Sequence, residues 1–527
     1  MRDVETVLFL VVLGTVVAAF ARHLRVPAPS LLVVAGLAVG LLPGVPPVDV
    51  PPDVISLVVL PPLLYAASEE LPWRDLVAVW RPVVILAVGL VLASACAVAA
   101  VTVAVASVPV SMAFVLGAVL ASTDPVAVSA LGRRLSLPAR VQAVVQGESL
   151  FNDGTSLVLF QIAVSFAVAG TAAATAAGVV LHGAGEFAVL AGGGVLAGAV
   201  VAAGVIFVRS KITDPVLETV VALITPYAAY VLGTVLHVSG VTAVIVAGLA
   251  AGAWRSRITT PQTRLQLHSV YQTVIFLLES IVFSLIGLEL PTLIRSLTSA
   301  DAQGWPLAAL AVAGTLIATR VLWIFPSWLF TQWRRGARPS WAVPAVVSWA
   351  GTRGVVPLAA ALSIPLATAG GAPLPERDLI LVLAAAVIVI SLIVQGLTLE
   401  PLVRFTGIAR PAVSAAHEET VARLRLAEAG LARLDELADG DAVPDAVIDR
   451  LRDSLQARIG RGRARVEAGA DAAPAALTER QVRRELIAAE QAELSRLYQA
   501  GSISEPVRGR LQRALDLEAA RLTDGQR

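Results

Sequence analysis

The chain has 527 residues, 57% of them apolar and 15% charged, with a mean hydropathy of +0.78. Soluble domains carry about 25% charged residues, so the composition excludes an ordinary soluble protein and points to a membrane one. A net charge of +1 lacks the basic surplus of a nucleic-acid binder, and the single cysteine, Cys96, excludes a disulfide framework or a cysteine metal site. The charge is unevenly spread: residues 1–410 hold 22 Arg/Lys and 19 Asp/Glu, whereas the 117 residues after them hold 18 and 20. Two regions follow, a transmembrane domain over 1–410 and a charged cytoplasmic tail over 411–527.

The first apolar run, 4–21, carries its basic cluster Arg22, His23 and Arg25 after the run rather than before it, so it reads as a first span and not as a signal peptide. Runs near the bilayer-crossing length of about 20 residues then recur at 28–43, 53–68, 82–107, 111–132, 141–169, 186–208, 215–236, 240–254, 270–289, 306–330, 341–366 and 379–403. The expectation is an all-α membrane protein of about thirteen transmembrane helices. Cytoplasmic loops collect Lys and Arg. With the N-terminus outside, alternate loops receive 17 basic residues and the other side only Arg2, Arg295 and Arg377. An odd number of spans with the C-terminus in the cytoplasm is the arrangement that preserves this split.

Two arginines, Arg320 and Arg353, fit neither set of loops, and the acids Asp124, Glu148, Asp153 and Glu279 are embedded in the same way. An ionisable group at bilayer depth costs at least about 2.5–3.5 kcal/mol, so such groups are paired or functional. Asp124 lies in Ala-Ser-Thr-Asp-Pro, residues 121–125. Pro125 has no N–H, so the Ala121 carbonyl loses its helical partner and the helix is expected to break. Broken backbone at membrane depth is tolerated where it is buried in protein or lines a wet cavity. The freed carbonyls, the Thr123 hydroxyl and the Asp124 carboxylate are hard oxygen donors of the kind that suits an alkali cation.

The sixth span contains Gly-Glu-Ser-Leu-Phe-Asn-Asp-Gly, residues 147–154. At 100° per residue Ser149, Asn152 and Asp153 share a face, whereas Glu148 is roughly 140° from Asp153. Ser149 and Asp153 can serve one ion, and Glu148 needs another role, for which an embedded arginine is the natural partner. In the twelfth span, Gly-Thr-Arg-Gly-Val-Val-Pro (351–357) provides a second break. Interruptions at corresponding positions of two halves point to an inverted-repeat transporter with its site near the midplane. The offset of seven spans is odd, which makes the two copies opposite in orientation.

These pieces together resemble the NhaP/NHE class of monovalent cation:proton antiporters: Leu-Pro-Pro-Leu-Leu-Tyr at 60–65, Thr-Asp-Pro-Val-Ala-Val at 123–128, residues 147–154, Ser-Leu-Ile-Gly-Leu-Glu-Leu at 284–290 and Arg-Gly-Val-Val-Pro-Leu-Ala at 353–359. The resemblance covers essentially the whole membrane region. It implies the NhaA-like antiporter fold, with discontinuous helices five and twelve crossed in a core that moves against a dimerisation domain. It further implies a multi-pass homodimer in the bacterial cytoplasmic membrane that exchanges Na⁺ or another monovalent cation for H⁺ by alternating access, without a cofactor.

Residue by residue, the resemblance makes Asp153 the carboxylate that binds Na⁺ and H⁺ in turn. Ser149, the Thr123 carbonyl and Asp124 become further Na⁺ ligands, with Asn152 and Asp124 also capping half-helix ends. Glu148 with Arg353 becomes a structural ion pair. Asn-Asp at 152–153, in place of two consecutive acids, implies electroneutral one-for-one exchange. One departure is Ala66, which stands where many members carry an acidic ligand, and Glu69 one turn further is the candidate substitute.

A K⁺/H⁺ antiporter of the same fold is the alternative, and a cation channel the more distant one. An intramembrane enzyme could also use the two acids Asp124 and Asp153, but the chain has no His-Glu-x-x-His run, no nucleotide motif and no serine–histidine arrangement, so it does not read as an enzyme. The tail reads as amphipathic helices through Leu424, Leu431, Leu434 and Leu437, then Val447, Leu451 and Leu455, with breaks near 439–444 and 468–476, and a further pair about Gly501.

Overall fold

In the computed structural model the described residues are 2–24, 28–42, 50–106, 108–124, 137–169, 176–212, 214–334, 341–408, 412–438, 444–468, 473–500, 507–508, 511–512 and 515–519. They form helices and connecting turns, with one isolated bridge between Ala367 and Pro373. The chain divides into two compact units, one of Met1–Ala130 with Pro138–Ile408 and the other of Leu131–Leu137 with Ala409–Arg527.

In the first unit, α1 (Arg2–Leu24) and α2 (Ala28–Gly40) occupy the first two apolar runs. The third run is not one helix but two, α3 (Pro52–Val58) and α4 (Leu60–Glu70), divided at Val59. Pro61 and Pro62 fall in the first turn of α4, where their missing N–H groups cost nothing. After α5 (Trp73–Ala78), the fourth run is also divided, into α6 (Trp80–Val84), a π-helical turn (Ile85–Leu90) and α7 (Val91–Val105). Next come α8 (Val110–Ala121), α9 (Ala139–Ala169), α10 (Ala176–Arg209), α11 (Pro215–Val235), α12 (Gly240–Ile258), α13 (Pro261–Ser296) and α14 (Ser299–Arg334). The twelfth run gives α15 (Ala342–Trp349) and α16 (Val355–Leu362), and α17 (Arg377–Thr406) closes the unit.

Every apolar run thus carries helix, and among the described residues seven helices are long and apolar enough to cross a membrane. Pro125 and the rest of the fifth run after it lie outside the described residues. Local chemistry fixes several helix starts. Asp214 caps α11 by accepting from the N–H groups of Val216 at 2.7 Å and Leu217 at 3.1 Å, while Ser239 and Thr260 cap α12 and α13.

Away from the two expected breaks, a buried charge cluster ties four helices. Arg209 at the end of α10 pairs with Glu218 of α11 at 3.1 Å and Glu69 of α4 at 3.5 Å, and donates to Thr259 Oγ1 at 3.0 Å. All four residues are buried. Glu218 accepts hydrogen bonds from Arg209 Nε and Nη2, whereas Glu69 Oε1 and Arg209 Nη1 face one another at 3.5 Å as an ion pair without a hydrogen bond.

The second unit is helical, with α18 (Ala412–Ala438), α19 (Asp445–Ala468) and α20 (Ala473–Gln499). The two helix ends fall where Gly, Asp and Pro cluster in the sequence, and residues 501–506, around the expected Gly501 pair, lie outside the described set. Ala427, Leu434, Ile448 and Ile459 form the buried side of α18 and α19, whereas Leu437, Val447 and Leu451 are exposed. Exposed pairs Arg452–Asp435 at 2.9 Å and Arg463–Glu428 at 3.0 Å link the two helices.

Candidate functional site

The site is built on two breaks and one continuous helix. α8 stops at Ala121, and Ser122 adopts an extended conformation (φ −64°, ψ 144°). α15 stops at Trp349, and residues 350–354 run without helix to α16. The two broken segments bond directly: Asp124 N–H donates to the Thr352 carbonyl at 2.7 Å, and Thr352 Oγ1 donates to the Asp124 carbonyl at 2.9 Å. Each break therefore meets hydrogen-bonding needs of the other. Buried backbone groups that leave a helix must find such partners.

α9 crosses beside this junction and presents the face anticipated from its periodicity. Ser149 Oγ donates to the Thr123 carbonyl at 2.5 Å. Asn152 reads Thr123 twice, its Nδ2 donating to Thr123 Oγ1 at 2.6 Å and its Oδ1 accepting from Thr123 N–H at 3.3 Å. The Asp153 carboxylate accepts a short hydrogen bond from Ser122 Oγ. Ser122, Thr123, Ser149, Asn152 and Asp153 are all buried. Asp153, Ser149, Thr123 and Asn152 are therefore brought together, and Asp124 joins them through the backbone.

Gly354 is part of the same construction. A side chain at this position would collide with the Asp124 carboxylate, so only glycine allows the α16 end of the break to lie against it.

The expected Glu148–Arg353 pair is corrected. Glu148 pairs instead with Arg320 of α14, whose guanidinium donates to both carboxylate oxygens at 2.5 and 2.9 Å. The helical wheel turned Glu148 away from Asp153 and toward a buried arginine, but could not distinguish two arginines on different helices. Arg320 also donates to the carbonyls of Val347 at 3.0 Å and Ser348 at 3.1 Å, the unpartnered last turn of α15. Arg353 performs the equivalent task on the other break: its Nε donates to the Leu120 carbonyl at 2.9 Å in the last turn of α8, and Nη1 bonds the Gly351 carbonyl. Each half-helix C-terminus thus has one buried arginine against its negative end.

Glu69 pairs with Arg209 and lines a cavity of about 20 Å³ with Ala66, Glu70, His268 and Tyr271. Among the described contacts it makes none with Asp153 or Asp124. Sequence reasoning passed over Ser122 and Thr352, although both stand next to selected residues in the two broken motifs. It also passed over Ser391 and Gln395 of α17, which contact the second break. Their signal was two polar residues one turn apart in an otherwise apolar helix.

A transmembrane family, "Sodium/hydrogen exchanger", matches residues 8–405. The chain belongs to the sodium/hydrogen exchanger family. It is 35% identical to an uncharacterized Na⁺/H⁺ exchanger of Mycobacterium tuberculosis, over 98% of this exchanger and 94% of the relative. It is 30% identical to the Na⁺/H⁺ antiporter ApNhaP of Aphanothece halophytica, over 81% and 78%. The exchanger shares its fold with the sodium proton antiporter MjNhaP1 of Methanocaldococcus jannaschii at pH 8, with a TM-score of 0.60 and 20% identity over 77% of this chain and 98% of that one. It is a multi-pass membrane protein of the antiporter fold.

Proposed function

We propose that the exchanger carries Na⁺ and H⁺ in alternation on the Asp153 carboxylate. Ser149 Oγ, the Thr123 carbonyl and Asp124 complete an oxygen shell for the cation, and Asn152 holds the Thr123 backbone in register. The observation that carries this reading is the convergence of Asp153, Ser149 and the Thr123 carbonyl where α8 is broken. Hard oxygen donors of this kind suit an alkali cation.

Burial supplies the coupling. An uncompensated carboxylate at this depth costs several kcal/mol, so a carrier with Asp153 ionised and bare crosses poorly, whereas the protonated and cation-loaded forms cross. Exchange then follows if the site opens alternately to the two sides by movement of the crossed helices. One carboxylate trading one proton for one Na⁺ gives electroneutral stoichiometry. The 17-to-3 distribution of basic residues supports an outside N-terminus and a cytoplasmic C-terminus in a bacterial plasma membrane. A homodimer is the assembly we propose.

A broader cation range is the second reading. Ala66 removes a family acid, and a relative of Bacillus subtilis, 27% identical over 71% of this chain, is named a sodium, potassium, lithium and rubidium/H⁺ antiporter.

The test is Asp153→Asn, purified and reconstituted in liposomes with a proton gradient. We expect native thermal unfolding and no Na⁺-driven proton flux, because an amide cannot exchange a proton for a cation. Near-native flux would overturn the assignment. Li⁺ and K⁺ pulses on the native protein decide between the narrow and broad cation ranges.

A further inference from the structure

α17 is apolar through most of its length, yet Ser391, Gln395 and Thr398 recur at i, i+4 and i+7 and so share one face. All three bond to the second broken helix. Ser391 Oγ accepts from Arg353 N–H at 3.1 Å and donates to Gln395 Oε1 at 2.6 Å. Gln395 Nε2 donates to the Trp349 carbonyl at 3.4 Å, and Thr398 Oγ1 accepts from Trp349 Nε1 at 2.8 Å. Trp349 ends α15 and Arg353 stands just before α16. One helix face therefore grips both rims of the 350–354 break. Between those rims Thr352 holds Asp124 by two hydrogen bonds.

We propose that Ser391 and Gln395 are positioning residues for cation exchange. They set the placement of the 350–354 break and, through Thr352, that of Asp124. The geometry accounts for two polar side chains, both buried, in a helix that otherwise needs none. A backbone N–H and a helix-terminal carbonyl released by the break receive partners from outside the broken helix, so the break is held by α17 and not by its own sequence alone. The proposal rests on the reading of Asp153 and Asp124 as the cation site.

The experiment measures Na⁺ concentration dependence of exchange in liposomes for Ser391→Ala, Ser391→Thr, Gln395→Leu and Gln395→Met, beside Asp153→Asn. Ile393→Ala, at a residue of the same helix that is 38% exposed, is the control. Loss of one positioning hydrogen bond should raise the Na⁺ KM of Ser391→Ala and Gln395→Leu about tenfold with the maximal rate within about twofold. Ser391→Thr, which keeps the hydroxyl, should restore the native KM, and Ile393→Ala should leave it unchanged.

Gln395→Met keeps the length of the side chain and adds no charge while losing the donor to Trp349, so it reports even if the leucine variant does not fold, and a raised KM is expected. A native KM in Ser391→Ala and Gln395→Met, with Asp153→Asn inactive, overturns the positioning role alone. An active Asp153→Asn overturns the site reading beneath it. A KM shift that threonine fails to restore shows general packing and also overturns the proposal.

Discussion

Glu148 and Arg320 form a two-pronged buried ion pair, with both carboxylate oxygens accepting from one guanidinium at 2.5 and 2.9 Å. Removing one partner of such a pair leaves an uncompensated buried charge and costs about 3–5 kcal/mol. Glu148→Ala and Arg320→Ala should each lower the unfolding temperature in detergent. The double variant should lose clearly less than the sum of the two single losses. Arg353→Ala, whose guanidinium instead holds the Leu120 and Gly351 carbonyls, should couple to Glu148→Ala much more weakly. Additive losses for Glu148 and Arg320 in a thermal-shift cycle would contradict the pairing.

Gly354 offers a steric test of the contact between residues 122–124 and the 350–354 break. An added methyl group collides with the Asp124 carboxylate, so Gly354→Ala must displace either the acid or the break. A misplacement near 1 Å can cost on the order of 100-fold in rate, and exchange in Gly354→Ala should fall by more than about tenfold on that scale. Gly314→Ala on α14, with open space around it, is the matched control and should exchange normally. Stopped-flow proton flux from liposomes measures both.

Stoichiometry follows from the charge of the loaded carrier. If Asp153 alone titrates, the proton-loaded and Na⁺-loaded forms have equal charge, and clamping the liposome potential with K⁺ and valinomycin should leave the Na⁺ exchange rate unchanged. A sustained Na⁺-driven current on a solid-supported membrane would show that Asp124 or Glu279 also exchanges a proton.

Each candidate ligand precedes residue 360, and α18–α20 belong to a separate compact unit. Truncation at residue 411 should therefore preserve Na⁺/H⁺ exchange and change at most its pH midpoint or the stability of the proposed dimer. A shortened protein that folds and dimerises yet transports nothing would place the tail within the mechanism.

Features that depend only on neighbouring residues are legible without any tertiary contact. Hydropathy gave the helical membrane architecture, because a long apolar run must satisfy its own backbone in lipid. Pro125 and the Gly351–Pro357 motif located both breaks, since proline and glycine act on their own turn of helix. A 100° step placed Ser149, Asn152 and Asp153 on one face of α9, where their contacts with residues 122 and 123 now lie.

The tertiary structure decided everything that depends on which helix packs beside which. Glu148 needed a buried arginine, but choosing Arg320 over Arg353 required contact across 172 residues of chain. Ser122 became the Asp153 partner because the chain turns extended one residue after α8. Glu69 turned to Arg209, itself at the far end of another span, and makes no described contact with Asp153 or Asp124. Periodicity fixes the direction in which a side chain leaves its helix, and helix packing alone fixes what it meets there.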